Sequence, residues 1–467
     1  MSAVSDPPQP GTRTVEITAY PGRPPVAVDP DRTAPFGWWP AIVIALVALI
    51  DRVEANLMAG ALPKIQEEFG FSDTAGGAIA TAAAVAGVVL LIPAGRLADR
   101  GRRNWTVALV VAIWSLLTVG SGLVHSYAML FAVRVLLGGA GLLYNPSGSS
   151  LLADYYPGRS RARAYGLERF AYFSGLPLGI MAGGLLSQTI GWRAMFFVVA
   201  IPGVLIALAC LTVREPVRGL GDRIEAARTV KSEPEPEEAP KGPQEPLLDQ
   251  LRGLLQIKTL RSVVLGLSVL FFGLGGLYYW MPSYYERTHG LAEGAAAGIS
   301  GGVGLLGMII GTLLGARYGD RLHGRSSGWR VHFGAIGVAI GTIGLAGTVL
   351  LSDFLIVQTV FYCVSNIGFS IAIPNLTAAN ADVVPTDRRG LGFAVLQFLV
   401  TLSGSTGPLL VGAASDLTGS LRGAFGVLLI PLVIGTAITF TGRRHYDGDA
   451  AAAVARQQTA PQEPGKD

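Results

Sequence analysis

Residues 95–103 read Gly95-Arg96-Leu97-Ala98-Asp99-Arg100-Gly101-Arg102-Arg103, a short basic loop between two apolar runs at about 75–97 and 104–124. A spanning helix needs about 20 predominantly apolar residues, and both runs meet that length. Ten more runs follow the same pattern, at about 38–62, 127–151, 164–190, 193–213, 260–285, 293–318, 329–351, 354–380, 390–415 and 420–442. Twelve spans in 467 residues, with 50% hydrophobic and only 15% charged residues, exclude a water-soluble enzyme of ordinary composition. The expected fold class is an all-α membrane protein of twelve transmembrane helices. A formal net charge of +4 gives no reason to expect a nucleic-acid partner. Cys210 and Cys363 lie inside apolar runs, so neither a disulfide framework nor a cysteine metal site follows.

The basic residues orient the chain. Arg100, Arg102 and Arg103 share one side of the membrane with Arg159, Arg161, Arg163, Arg321, Arg325, Arg388 and Arg389, while the other side has little beyond Lys64, Arg193, Arg287 and Arg422. The arginine-rich side is expected to be cytoplasmic. An even number of spans then puts both termini in the cytoplasm and the protein in the plasma (inner) membrane. Residues 1–36 are Pro-, Thr- and Asp-rich and read as a disordered tail. The two bundles are expected at 37–213 and 260–442, joined by a linker at 214–259 that carries a Pro-Glu run at 233–238, with a tail at 443–467. Within the linker, Leu247, Leu248, Leu251, Leu254 and Leu255 share a helical face, as in a short helix on the membrane surface or on protein.

An internal repeat sets the architecture. Pro146, Asp154, Pro157 and Arg161 recur as Pro374, Asp382, Pro385 and Arg389 at an offset of 228 residues. Ser174-Gly175, Gly183, Arg193 and Phe196 recur as Ser403-Gly404, Gly412, Arg422 and Phe425 at 229. Parallel repeats about an axis along the membrane normal are a transporter layout. Glycines at 301, 304, 307, 311 and 315, and again at 337, 341 and 344, are spaced for close helix packing in lipid. No phosphate loop of the G-x-x-x-x-G-K-[ST] type occurs, and no ATP-driven pump is implied.

The 95–103 loop resembles the G-x-L-x-D-R-x-G-R-R loop of the major facilitator superfamily, and a weaker copy at 316–321 holds Asp320-Arg321. A narrower resemblance is to the spinster branch, through Asp51-Arg52, Leu62-Pro63-Lys64-Ile65-Gln66-Glu67-Glu68-Phe69, Gly191-Trp192-Arg193 and the 214–219 ending Arg-Glu-Pro-Val-Arg-Gly. That resemblance implies transport of lysophospholipids or phosphorylated sphingoid lipids, with proton coupling. One departure is that Arg134 is followed seven positions on by Gly141, where the branch usually has an acid.

Ionisable residues inside spans cost about 2.5–3.5 kcal/mol each on insertion scales and mark function by default. Asp51 and Glu54 lie three apart on one helical face, with Arg52 turned about 100° from Asp51. Glu54 and Arg134 fall at compatible depths, roughly 12 and 10 Å from the outer helix ends. The expectation is that Asp51 and Glu54 carry protons while Arg134 holds a carboxylate or an anionic headgroup in a cavity between the halves. Arg52, Tyr144, Asn145, Tyr278, Tyr279, Asn366, Asn375 and Gln397 would complete the substrate site. A cytoplasmic gate is expected from Asp99, Arg100, Arg103, Asp320, Arg388 and Arg389. The partners are an amphipathic lipid or small molecule, protons and the bilayer, with the chain acting as a monomer and without a cofactor. A drug exporter of the same fold is the nearest alternative, since Gly175, Gly179, Gly183 and Gly184 half-match an exporter motif whose proline is replaced by Ile180. A non-transporting lipid receptor is a reading of another class. The histidines at 125, 289, 323, 332 and 445 show no metal-ligand or catalytic-triad spacing.

Overall fold

Apolar stretches of this length have one way to satisfy every backbone amide in lipid, which is the helix. In a computed structural model of the chain, which describes residues 14–229, 246–323, 328–385 and 388–459, helices dominate. A small antiparallel hairpin of β1 (Val15–Ile17) and β2 (Val26–Val28) precedes α1 (Trp39–Phe69), α2 (Asp73–Arg100) and α3 (Arg103–Gly122). Then come α4 (Tyr127–Gly141), a 3-10 turn (Leu142–Tyr144) and α5 (Asn145–Tyr155), which together make one crossing. The chain continues through α6 (Gly158–Ile190), α7 (Trp192–Thr212), the short α8 (Leu220–Thr229) and α9 (Leu247–Gln256), and α10 (Lys258–His289). It ends with α11 (Glu293–His323), α12 (Trp329–Leu350), α13 (Leu355–Val383), α14 (Arg389–Thr418) and α15 (Leu421–Thr459). Among the described residues eleven segments are long and apolar enough to cross a membrane. The long helix α1 is the twelfth and stands apart because it carries Asp51, Arg52 and Glu54.

The contacts divide the chain into two compact units, 1–61 with 82–241 and 62–81 with 242–467. The boundary departs from the expected bundle limits because the C-terminal end of α1 and the N-terminal end of α2 belong with the second unit. Asp73 there accepts both terminal nitrogens of Arg287 at 2.7 Å, Ser415 Oγ at 2.6 Å and Gln66 Nε2 at 2.9 Å. Asp416 of α14 caps α2, accepting Thr74 N at 2.8 Å and Thr74 Oγ1 at 2.5 Å. Lys64 pairs with Glu293 at 3.0 Å.

In the first unit, Arg103 is fully buried and gives NH1 to Asp154 at 2.5 Å and Nε to Glu215 at 2.7 Å. Glu215 also accepts Asn104 N at 3.1 Å, and Asp154 accepts Gly219 N at 2.8 Å. Arg103, expected in a cytoplasmic gate, is therefore an internal anchor tying α3 to α5 and to the chain after α7. Residues 14–36 also differ from the expected disorder. Ile17 and Ala19 pack with Leu220 and Ile224 of α8 in a small apolar cluster, and Val217 N donates to Ala19 O at 2.9 Å. The hairpin is held because its few apolar side chains find partners in a linker helix; residues 1–13 lie outside the described ones.

The second unit repeats the anchor. Arg330, at the start of α12, gives NH1 to Asp382 at 2.9 Å and NH2 to Asp320 at 3.0 Å, while Tyr446 Oη donates to Asp382 at 2.7 Å. Repeated Asp154 and Asp382 thus each receive an arginine from the start of the third long helix of their half. Asp320, expected at a gate, is occupied in this local pair. Arg193 and Arg422 repeat as well, donating to Val124 O at 3.2 Å and Leu350 O at 3.1 Å. Gly307, Gly311 and Gly315 abut the α13 backbone, and Gly337, Gly341 and Gly344 meet α13 at Gly368, Phe369 and Ser365. Glycine spacing read as packing thus grips α13 from two helices. The expected linker helix is α9, with Leu254 buried and Leu248 and Leu255 exposed.

Removing one partner of a buried ion pair costs about 3–5 kcal/mol because the others stay buried. Arg103→Ala is expected to lower the thermal unfolding midpoint in detergent strongly, with Arg330→Ala lowering it less because its pairing partner Asp320 is exposed. Equal midpoints for Arg103→Ala and wild type would contradict the anchoring role.

Candidate functional site

A glycine ladder on α6 positions the charges of α1. Gly175, Gly179 and Gly183 face Leu49–Arg52, Val53 and Leu57, and a Cβ at any of them would overlap the α1 backbone. Opposite them, Gly60 of α1 meets the backbone of Ile180 and Gly184. Residues that half-match an exporter motif act here as the close-approach seam of α1 and α6.

Along that seam Asp51 is 6% exposed and Arg52 22% by side chain. Arg52 does not point away as helical geometry alone suggests; it folds back, with Nε at 2.7 Å and NH2 at 2.6 Å from Asp51 Oδ2. The guanidinium carbon also lies 4.6 Å from the centre of the Tyr172 ring. Glu54 is 2% exposed, and its Oε2 accepts from Thr118 Oγ1 of α3 at 2.9 Å. Its Oε1 has no hydrogen-bond partner among the described residues. Gly203 of α7 gives this carboxylate room, since a Cβ there would come within 3.2 Å of Oε1.

Arg134 joins the same interior. It is 4% exposed, donates NH1 to the backbone oxygen of Glu54 at 3.3 Å and lies 4.8 Å from the Phe196 ring centre. The expected approach of Arg134 to Glu54 is present, and its described hydrogen bond runs through the carbonyl. Tyr144, in the 3-10 turn, is buried edge-on to Trp114 with ring centres 5.8 Å apart. Its hydroxyl has no hydrogen-bond partner among the described residues. Asn145, half-buried at the start of α5, is brought to none of these groups by a described side-chain bond.

Sequence reasoning missed Thr118, Tyr172 and the pair Glu168–Arg169. Glu168 is 5% exposed and its Oε2 lies 3.2 Å from Arg169 Nε. A buried acid in an apolar segment was the available signal. It was obscured because Glu168 and Arg169 lie near the polar start of the 164–190 run, close to the basic stretch 159–163.

In the second unit the expected residues separate. Tyr278 Oη donates to Asn366 Oδ1 at 2.5 Å, and Asn366 Nδ2 donates to Tyr362 O at 2.8 Å, so these form one polar patch. Tyr279 instead donates to Gly76 O at 2.8 Å and fastens α10 to the start of α2. Asn375 donates to Gly315 O at 3.0 Å and Ile371 O at 2.8 Å, a helix-to-helix link and not a free recognition group. Gln397 is exposed and donates to Thr401 Oγ1 on its own helix at 3.0 Å. Tyr279 and Asn375 are thus engaged in helix-to-helix bonds, as polar groups in membranes commonly are, while exposed Gln397 is bonded within its own helix. Of the expected gate, Asp99 and Arg100 close α2 with side chains outside the described residues. Arg388 packs by its guanidinium against Gly253 of α9, and Arg389 opens α14.

The chain resembles several transporters. An MFS-type efflux pump of Mycolicibacterium smegmatis is 28% identical over 426 residues, covering 86% of this chain and 91% of that protein. Protein spinster of Drosophila melanogaster is 25% identical over 270 residues, 56% of this chain and 42% of that one. The human spinster homolog 1 is 28% identical over 250 residues, 53% and 45% of the two chains. Among solved structures, an inward-facing, unoccupied bacterial homologue of the human lysosomal transporter spinster superposes with a TM-score of 0.73. It is 22% identical, covering 88% of this chain and 98% of that one. These similarities agree with the spinster resemblance of Asp51-Arg52 and residues 62–69. The family model of the Major Facilitator Superfamily matches residues 44–376, and the chain belongs to that superfamily of membrane transporters.

Proposed function

We propose that the chain is a secondary active transporter that moves an amphipathic, anionic lipid of the lysophospholipid type by alternating access, coupled to protons. The observation that carries this reading is the pair of buried carboxylates on α1, each beside an arginine. Asp51 is paired with Arg52, and Glu54, with one oxygen unpartnered, lies beside Arg134. A buried carboxylate without a full set of donors is a group whose charge and proton are exchanged at a cost set by its neighbours. Asp51 and Glu54 carry the proton on this reading, and Arg134, closed over by Phe196, holds the carboxylate end of the cluster and not a headgroup.

A largely apolar second unit favours a lipid chain over a sugar, whose hydroxyls all need partners. The polar patch of Tyr278 and Asn366 is small, and the middles of α11, α12 and α14 hold no charge. The arginine distribution supports cytoplasmic termini and an inner-membrane location. A second reading, efflux of a hydrophobic drug, is favoured by the M. smegmatis efflux pump, whose similarity extends over most of both chains.

Two experiments separate these. In proteoliposomes with an imposed pH gradient, Asp51→Asn and Glu54→Gln are each expected to cut gradient-driven lysophospholipid movement at least about tenfold, a loss equivalent to ~1.4 kcal/mol. Undiminished movement in both variants would remove the proton role. Thermal-shift measurements with lysolipids, sugars and cationic drugs are expected to show stabilisation by lysolipids. Stabilisation by cationic drugs alone would favour efflux.

A further inference from the structure

We propose that α9 lies in the plane of the membrane and docks on anionic phospholipid headgroups through Arg252, Lys258 and Arg261, beside an edge of exposed leucines. This surface stands apart from the transport site described above and holds whatever the substrate is.

At 3.6 residues per turn, the side chains of α9 divide into a covered sector and an exposed one. Gly253, Gln250 and Leu254 share a sector of about 100°, and none of them is exposed. That sector meets protein, since Leu254 is 1% exposed and the Arg388 guanidinium, just before α14, packs against Gly253. The exposed sector has an apolar edge and a polar edge. Leu248 and Leu255 lie about 20° apart and are 61% and 54% exposed. Gln256 and Asp249, both exposed, lie about 80–100° round from Leu248. Arg252 stands between the edges, about 40° from Leu248, with 70% of its side chain exposed. Leucines on one edge, an arginine at the boundary and polar groups beyond it match a helix lying in a membrane interface.

Connectivity sets the depth of α9. Only Ile257 separates it from α10, whose 32 residues extend about 48 Å at 1.5 Å each. A hydrocarbon core of about 30 Å leaves roughly one and a half turns of α10 beyond it at each end. Lys258 and Arg261 fall in that margin, and both are exposed. The next exposed residue is Leu265, one turn deeper on the face of Arg261. From Thr259 to Tyr285 no other residue of α10 is exposed, so the open part of this helix runs from cation to apolar group in the order of headgroup and acyl chain.

Charge selects the partner. The acids nearby are Asp249, with Oδ1 at 3.5 Å from Arg252 NH1, and Asp449, which accepts Thr259 N at 2.8 Å and so caps α10. Lys258 and Arg261 have no acidic partner among the described residues. A zwitterionic lipid brings no net charge to them, whereas an acidic phospholipid places a phosphate at their depth and gains from each cation.

The test uses the full-length protein with Cys210→Ala and Cys363→Ala, carrying an environment-sensitive fluorophore on Leu255→Cys or Gln256→Cys. It is reconstituted in nanodiscs of phosphatidylcholine, alone or mixed with phosphatidylglycerol. In the mixed bilayer the Leu255 probe is expected to report an apolar setting and to be quenched by spin-labelled lipid at least about threefold more than the Gln256 probe. Arg252→Gln, Lys258→Gln and Arg261→Gln together are expected to lower the ratio of docked to undocked probe at least about fivefold, with an unchanged gel-filtration profile. Phosphatidylcholine alone is expected to give the same low ratio. Equal quenching in the two bilayers, unaffected by the three substitutions, would overturn the anionic lipid as the partner. A water-like Leu255 probe in both bilayers would overturn docking altogether. An apolar setting that spin-labelled lipid does not quench would show protein covering the leucine edge, and would overturn the membrane as its occupant.

Discussion

Charge inside a hydrocarbon layer has to be met by protein, and this constraint organises the first unit. Asp51, Arg52 and Glu54 set α1 apart from the eleven apolar crossings, so α1 must be enclosed by neighbours that answer each charge. Arg52 answers Asp51 from the next position, Thr118 answers Glu54 from α3, and Phe196 of α7 covers Arg134. The α6 glycines bring Tyr172 close enough to stack on Arg52. A bulky residue at Gly179 would separate the helices and strip the charges of that cover. Packing and chemistry are therefore one arrangement: small residues are placed where charged ones need enclosure.

The internal repeat duplicates the scaffold anchors but not the charged cluster of α1. Arg103–Asp154 and Arg330–Asp382 are the same anchor at corresponding helix starts, and Arg193 and Arg422 bind corresponding carbonyls. Both sets lie near helix ends, where an arginine can reach several helices at once through its five donors. Among the described residues, the α1 cluster of Asp51, Arg52 and Glu54 is not repeated on α10. Where the first unit has carboxylates and guanidiniums, the second has the Tyr278–Asn366 bond and backbone-bound amides. A duplicated fold needs its anchors in both copies.

How far the molecule was legible follows from the same physics. The twelve crossings, the repeat and the charges of α1 stand out because each is a local break from, or return to, an apolar pattern. Glu54 and Arg134 were legible as a pair because depth along a helix is readable from residue counting. Burial was not readable where polarity is ordinary: Arg103 sits in a basic loop, yet is fully buried because Asp154 and Glu215, distant in sequence, converge on it. The hairpin at 14–36 was hidden for a related reason, since its order depends on α8, a helix in a segment that reads as solvated linker. Spacing likewise could not reveal that the amides of Asn375 and Gln397 donate to a nearby carbonyl and hydroxyl.

The composition of the charged cluster bears on coupling. Asp51, Glu54 and Glu168 stand with Arg52, Arg134 and Arg169, so three acids face three bases and the fully ionised set is neutral. An anion entering such a set alone would leave net charge in a medium where isolated charge is expensive. On the function proposed above, a proton taken by the acid that an anionic headgroup displaces offsets one unit of that charge, and the acid beside Arg52 is Asp51 itself. Substrate and proton then need not meet the same atom to be coupled; they need only share arginines whose partners are titratable.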